Sequence, residues 1–226
     1  MTFDIHLWLE AFLHNLKALF NKRIRFVGLQ GSYARNEATE ASDVDIVVIL
    51  DDVSPVDLSA YHDMVACLSY PEKACGFIAD QKSLLNWDRS DLFQFYHDTT
   101  PLYGDLDFLK PLIKRADVQR AIQIGVCNLY HLCGHNMVHQ KKAAALQSQY
   151  KSAIFILQAI YYNRTSTYIR HKAELCTQVD AADLFILKTD LAFKENPNLA
   201  ETSFDYYAGL LFNWAKDTLV IYSNDI

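Results

Sequence analysis

Residues Val27–Leu50 read VGLQGSYARNEATEASDVDIVVIL, and the order of residue types along this stretch decides the fold. A short apolar run, Arg25–Leu29, stops at Gly31-Ser32. Ser42-Asp43-Val44-Asp45 follows about ten residues later and leads into a second run, Val-Asp-Ile-Val-Val-Ile-Leu. Beyond Asp45 that run is aliphatic on both faces, the pattern of a strand covered on both sides. The spacing predicts two neighbouring strands, with a turn between them rich in small and polar residues.

The same stretch carries the chemistry. Asp43 and Asp45 are two apart, so on a strand both point to one side. Aspartate is depleted in strands, and two anions at the end of a buried strand repel each other unless one takes a proton or a cation sits between them. Oxygen-only ligands favour Mg²⁺ or Mn²⁺ over zinc. Taken alone, such a pair also reads as two solvated surface acids. Gly31 lets the backbone turn sharply and lets a phosphate approach its N–H, and the Ser32 hydroxyl can donate to a phosphate oxygen. Tyr33–Asn36 would begin a helix whose N-terminus favours an anion. Arg35 lies about one turn into that helix, where it can reach a phosphate or pair with Glu37 or Glu40.

Outward from this stretch, Ile5, Trp8, Leu9, Phe12, Leu13, Leu16, Leu19 and Phe20 recur at helical spacing. They predict a helix over residues 4–21, with Thr2 as a candidate cap. Ser54-Pro55 opens a helix to about Leu68, Cys75–Ala79 reads as a third strand, and short helical pieces follow to Tyr96. Pro101–Gly104 reads as an edge strand. Residues 117–144, 146–163, 171–178, 180–192 and 203–223 then read as helices. The fold class is α+β: a small mixed-sheet domain over 1–110, and an all-α helical-bundle domain over 111–226 expected to form the other wall of a cleft. The charges divide at the same place. Up to Leu109 there are 8 basic and 17 acidic residues, a net of −9, and the remainder carries +3.

The total of −6 argues against a protein that coats nucleic acid by bulk charge. A composition of 51% apolar and 21% charged residues is that of a folded globular chain. Five cysteines without a C-x-x-C pair fit a reducing compartment. No apolar run reaches the roughly 18 residues of a membrane span, and the first residues lack the features of a signal peptide. A cytoplasmic protein is expected.

Gly-Ser, a gap of about ten residues, then Asp-x-Asp resembles the signature of the DNA polymerase β-like nucleotidyltransferase superfamily. In its fuller form, GSYAR…SDVDIVV, it is similar to the minimal nucleotidyltransferases and the antibiotic adenylyltransferases. The resemblance implies an enzyme that moves a nucleoside monophosphate, AMP from ATP or another NTP, to an acceptor hydroxyl. It implies that Gly31 and Ser32 hold the nucleotide phosphates and that Asp43 and Asp45 hold two Mg²⁺ ions; Arg35 and Ser42 are further candidates for binding the nucleotide. It also implies a third carboxylate on a later strand, and Asp80, at the end of the next strand, is the candidate for ligand and base. Asp80 equally suits the cap of the helix that follows; Asp91 and Asp98 fit less well. Residues 163–175, NRTSTYIRHKAEL, look like a segment of the antibiotic enzymes in which a lysine faces the phosphates, which Lys172 matches loosely. The acceptor is expected to be a small molecule, such as an aminoglycoside drawn by the acidic first domain, rather than protein or RNA. The rival reading is a nucleotide-binding regulatory or antitoxin-like module with weak or no transfer. Arg164 and His171 have the R-x6-H spacing of the partner nucleases in such systems, but fall in a connection between helices. Cys127, His131, His135 and His139 recur at steps of four on one helix, where each step drifts by roughly 40°, so packing is the expected role rather than a shared metal.

Overall fold

The structure, a computed structural model, describes residues 3–223, so the candidate cap Thr2 lies outside the described residues. The chain divides into two compact units, Met1–Leu112 and Ile113–Ile226. The first opens with α1, Ile5–Phe20. Asp4 caps it, its carboxylate accepting from the backbone N–H of His6 at 2.8 Å and of Leu7 at 3.3 Å. Trp8, Phe12, Leu16 and Phe20 recur every four residues, share one helix face and are all buried. Each such burial is worth about 1.5–3 kcal/mol.

The sheet follows from the strand runs of the sequence. In chain order come β1 (Ile24–Leu29), the single turn α2 (Gly31–Ala34), β2 (Val44–Leu50), α3 (Pro55–Ala66), β3 (Ala74–Asp80), α4 (Gln81–Leu85), α5 (Arg89–Asp98) and β4 (Thr100–Tyr103). Spatial order is β3-β2-β1-β4. β1 is antiparallel to both β2 and β4, and β2 is parallel to β3. A parallel pair needs a crossover, and α3 supplies it. α3 starts on a capping box in which Ser54 and Asp57 satisfy each other's backbone N–H. Arg23 clamps the same Asp57 through Nη1 at 2.6 Å and Nη2 at 3.1 Å, and this hydrogen bonding holds the Asp57 carboxyl well below the usual carboxylate range.

β2 is buried on both faces, as its aliphatic run requires. Val44, Ile46, Val48 and Leu50 face the α1 core together with Ile24, Val27 and Leu29. By alternation Asp45, Val47 and Ile49 face the other way. On β3 the partner of Val47 is Phe77, whose ring lies 5.4 Å from that of Trp87 and 5.7 Å from that of Phe95. Asp45 therefore sits at the end of the sheet face that α4 and α5 cover. Gly76 permits the close pairing of β2 and β3: its φ is +106°, and a Cβ there would stand 2.0 Å from the Ile46 carbonyl oxygen.

The second unit is helical. It comprises α6 (Arg115–His135), α7 (Ala143–Thr165), α8 (Lys172–Leu175), α9 (Ala181–Glu195), α10 (Leu199–Thr202) and α11 (Phe204–Ser223). The one long helix expected over 117–144 is instead α6 followed by a π-helical turn, Asn136–Gln140. Asn136 causes the break. It is buried, and its side chain bonds the Lys142 carbonyl at 3.1 Å and the Lys142 N–H at 3.0 Å, while Lys141 turns left-handed at φ 48°. Gln158, the polar interruption of the α7 apolar stretch, donates to the carbonyls of Ile169 and Arg170 at 3.0 and 3.1 Å and so anchors the connection to α8. Arg164 lies in the last turn of α7 and His171 immediately precedes α8, so that pair spans the connection rather than one helix. Among the described residues no helix is long and apolar enough to cross a membrane.

Candidate nucleotide-binding site

The end of β1 and the start of β2 bring the Gly-Ser turn onto the second aspartate. Gln30 N–H donates to the Asp45 carbonyl at 2.8 Å, extending the β1–β2 ladder by one bond. The next residue, Gly31, turns left-handed at φ +64°. A Cβ on Gly31 would stand 1.8 Å from Asp45 Oδ2 and 2.8 Å from its Cγ. The bare glycine backbone therefore lies directly against the Asp45 carboxylate. Only a residue without a side chain allows this approach, and only glycine adopts this φ without strain. Ser32 follows within α2. Asp43 is exposed and precedes β2 on the same side as Asp45, which is half-buried.

The loop between the two strands is tied down at its end. Ser42 Oγ accepts from the Thr39 N–H at 2.9 Å, so this hydroxyl shapes the loop. Lys73, just before β3, donates to the carbonyls of Glu40 and of Ser42, the latter at 3.1 Å. Arg35 pairs with Glu37 at 3.4 Å, with both side chains mostly buried.

Asp80 is not near this place. In the parallel β2–β3 pairing Asp80 lies opposite Leu50, whereas Asp45 lies opposite Cys75. The five residue steps from Cys75 to Asp80 correspond to ~16 Å of strand. Asp80 caps α4 instead, accepting from the Ser83 N–H and hydroxyl, each at 2.7 Å, and these hydrogen bonds lower its pKa. Asp91 lies in the first turn of α5, and Asp98, buried, ends that helix. Replacing Asp80 with Ala is expected to cost about 0.5–2 kcal/mol, the worth of a cap. Its folded pKa is the lower one, so its contribution is complete above the unfolded carboxylate range and is lost as pH falls through the folded value. Urea unfolding of D80A at pH 7 and pH 3 measures both effects: the gap from the parent should shrink at the lower pH.

The residue that does stand abreast of Asp45 is Cys75, which the sequence reading passed over. Cys75 is exposed; partial desolvation first, and then the neighbouring Asp45 and Asp43 carboxylates, push its thiol pKa up. The signal that could have found it was register rather than residue type. A search for a third acid on the strand lands on its only carboxylate, at the wrong end.

In the second unit Lys172 is buried, and its Nζ donates to Asp190 Oδ2 at 2.6 Å. Another buried carboxylate of this unit, Asp183, accepts from Trp214 Nε1 at 2.9 Å. His131, His135 and His139 line an exposed helix face with successive ring centroids 6.4 and 5.0 Å apart. Among the described residues no three His, Cys, Asp or Glu side chains are grouped so as to hold a metal ion.

Comparison with known proteins finds relatives of this region and of the fold. Residues 9–78 match the family described as nucleotidyltransferase domain. A putative protein adenylyltransferase of Methanocaldococcus jannaschii is 37% identical over 67 residues, which is 28% of this chain and 64% of that protein. The chain thus spans just under two thirds of the length of that curated relative. Among solved structures, spectinomycin adenyltransferase AAD(9) from Enterococcus faecialis, crystallised with ATP and spectinomycin, resembles this chain in fold. The TM-score is 0.51 at 15% identity, over 92% of this chain and 99% of the other. Residues 9–78 thus match a nucleotidyltransferase domain, and the fold resembles that of a spectinomycin adenyltransferase.

Proposed function

We propose that the protein is an adenylyltransferase-type enzyme that moves AMP from ATP, in the presence of Mg²⁺, to the hydroxyl of a small acceptor. The observation that carries this is the contact of the Gly31 backbone with the Asp45 carboxylate. A phosphate-binding turn and a pair of carboxylates gain their joint use only when they adjoin, because the triphosphate and its counter-cation share oxygens.

The donor set suits a hard cation. Asp43 and Asp45 offer carboxylate oxygens on one side of β2, and Mg²⁺ is commonly held by one or two carboxylates plus substrate phosphates. Mg²⁺ held by Asp43 and Asp45 would neutralise phosphate charge and favour departure of pyrophosphate. The chain's own part is to hold and orient. Gly31 leaves its N–H open to a phosphate oxygen, Ser32 adds a hydroxyl donor, and Lys73 keeps the Glu40–Ser42 loop fixed beside Asp43. The acceptor oxygen bonds to the α-phosphorus as the bond to the pyrophosphate oxygen breaks. The acceptor's proton passes to water; Asp80, opposite Leu50 at the far end of β3, is poorly placed to receive it.

One observation favours a second reading, nucleotide binding with little transfer: the side chain abreast of Asp45 is a thiol rather than a carboxylate. Pyrophosphate release from ATP and Mg²⁺ with a pooled set of aminoglycosides and other hydroxyl compounds separates the two. Release that depends on one acceptor supports the transferase. Tight ATP binding without release across the pool supports the second reading.

A further inference from the structure

We propose that Cys75 sets the number of divalent cations this site takes, limiting it to one per bound nucleotide. The inference rests on the nucleotide-binding reading above, and it departs from the two ions that the resemblance implies. Asp45 has two lateral neighbours in the sheet region. On one side is the bare backbone of Gly31. On the other is Cys75, its register partner on the parallel strand β3. Two cations held ~3.5–4 Å apart need anionic oxygens around both. Here the protein offers two carboxylates, and the third flank of the place carries an uncharged side chain.

A thiol is also a poor ligand for a hard cation. Beside Asp45 it occupies a ligand's place without adding charge. Asp43 and Asp45 can then serve the cation that arrives on the triphosphate. A second ion would find ligands only by taking oxygens from the first.

The test is a count of ions. Wild-type protein with a non-hydrolysable ATP analogue is titrated with Mn²⁺, and free Mn²⁺ is followed by electron paramagnetic resonance. One bound Mn²⁺ per bound analogue is expected for the wild type and for Cys75→Ser, which keeps a neutral donor. Two are expected for Cys75→Asp. Two ions in the wild type overturn the proposal whatever the variants do, so it does not depend on C75D folding. A folded C75D that still binds one ion overturns it as well, while leaving nucleotide binding intact. Failure of the analogue to bind the wild type at any Mn²⁺ concentration removes the nucleotide reading itself, and the proposal with it.

Discussion

Asp45→Ala and Asp43→Ala should each lower the rate of nucleotidyl transfer by at least ~10³-fold while leaving the fold in place. Removing one preorganised group that stabilises transition-state charge costs on the order of 10²–10³ in rate, and these two carboxylates would also hold the counter-cation of the triphosphate. Neither is a core residue: Asp43 is exposed, and Asp45 is half-buried at the first turn of β2. Its backbone carbonyl, not its side chain, accepts the Gln30 N–H that closes the β1–β2 ladder. Thermal midpoints should therefore stay near the parent value. Gly31→Ala should resemble Asp45→Ala in activity for a different reason. The new Cβ would require the Asp45 carboxylate to swing away and would strain a backbone at φ +64°. Steady-state pyrophosphate release on the three variants, beside circular dichroism melts, checks this. Retained Mg²⁺-dependent transfer in either aspartate variant would end the assignment.

Much of the first unit was legible because local pattern and tertiary demand agree there. Trp8, Phe12, Leu16 and Phe20 show the period of a helix lying on a sheet. The VDIVVIL run matches β2 residue for residue. Gly31 and Asp45 could be paired because their chemistry is complementary across a short loop. Register was not legible. Nothing local says that Cys75 rather than Asp80 stands beside Asp45, since register is fixed by how β3 slides along β2 and by the φ of +106° at Gly76. The helix break after His135 was hidden for a similar reason. Asn136 reads as one polar residue in a helical run until its side chain is seen holding both backbone groups of Lys142.

Lys172 supplies the sharpest conflict between pattern and packing, and the second large effect. In sequence it stands in a basic segment suited to phosphates. In the structure its side chain is only 8% exposed and is paired at 2.6 Å with Asp190, itself 3% exposed and eighteen residues away. Breaking a buried pair by removing one partner strands a charge and costs about 3–5 kcal/mol, whereas replacing both with apolar residues of similar volume is often neutral or stabilising. Lys172→Met and Asp190→Leu should each lower stability by about 3–5 kcal/mol. The double variant should recover most of the loss. Urea unfolding followed by fluorescence of the tryptophans, among them Trp214 in the same unit, gives the three values and the coupling between the sites. ATP affinity measured well below the unfolding range completes the test. A structural lysine predicts near-parental affinity in the double variant. A phosphate-binding lysine predicts that affinity stays low even though stability returns, because the apolar pair restores packing and not positive charge.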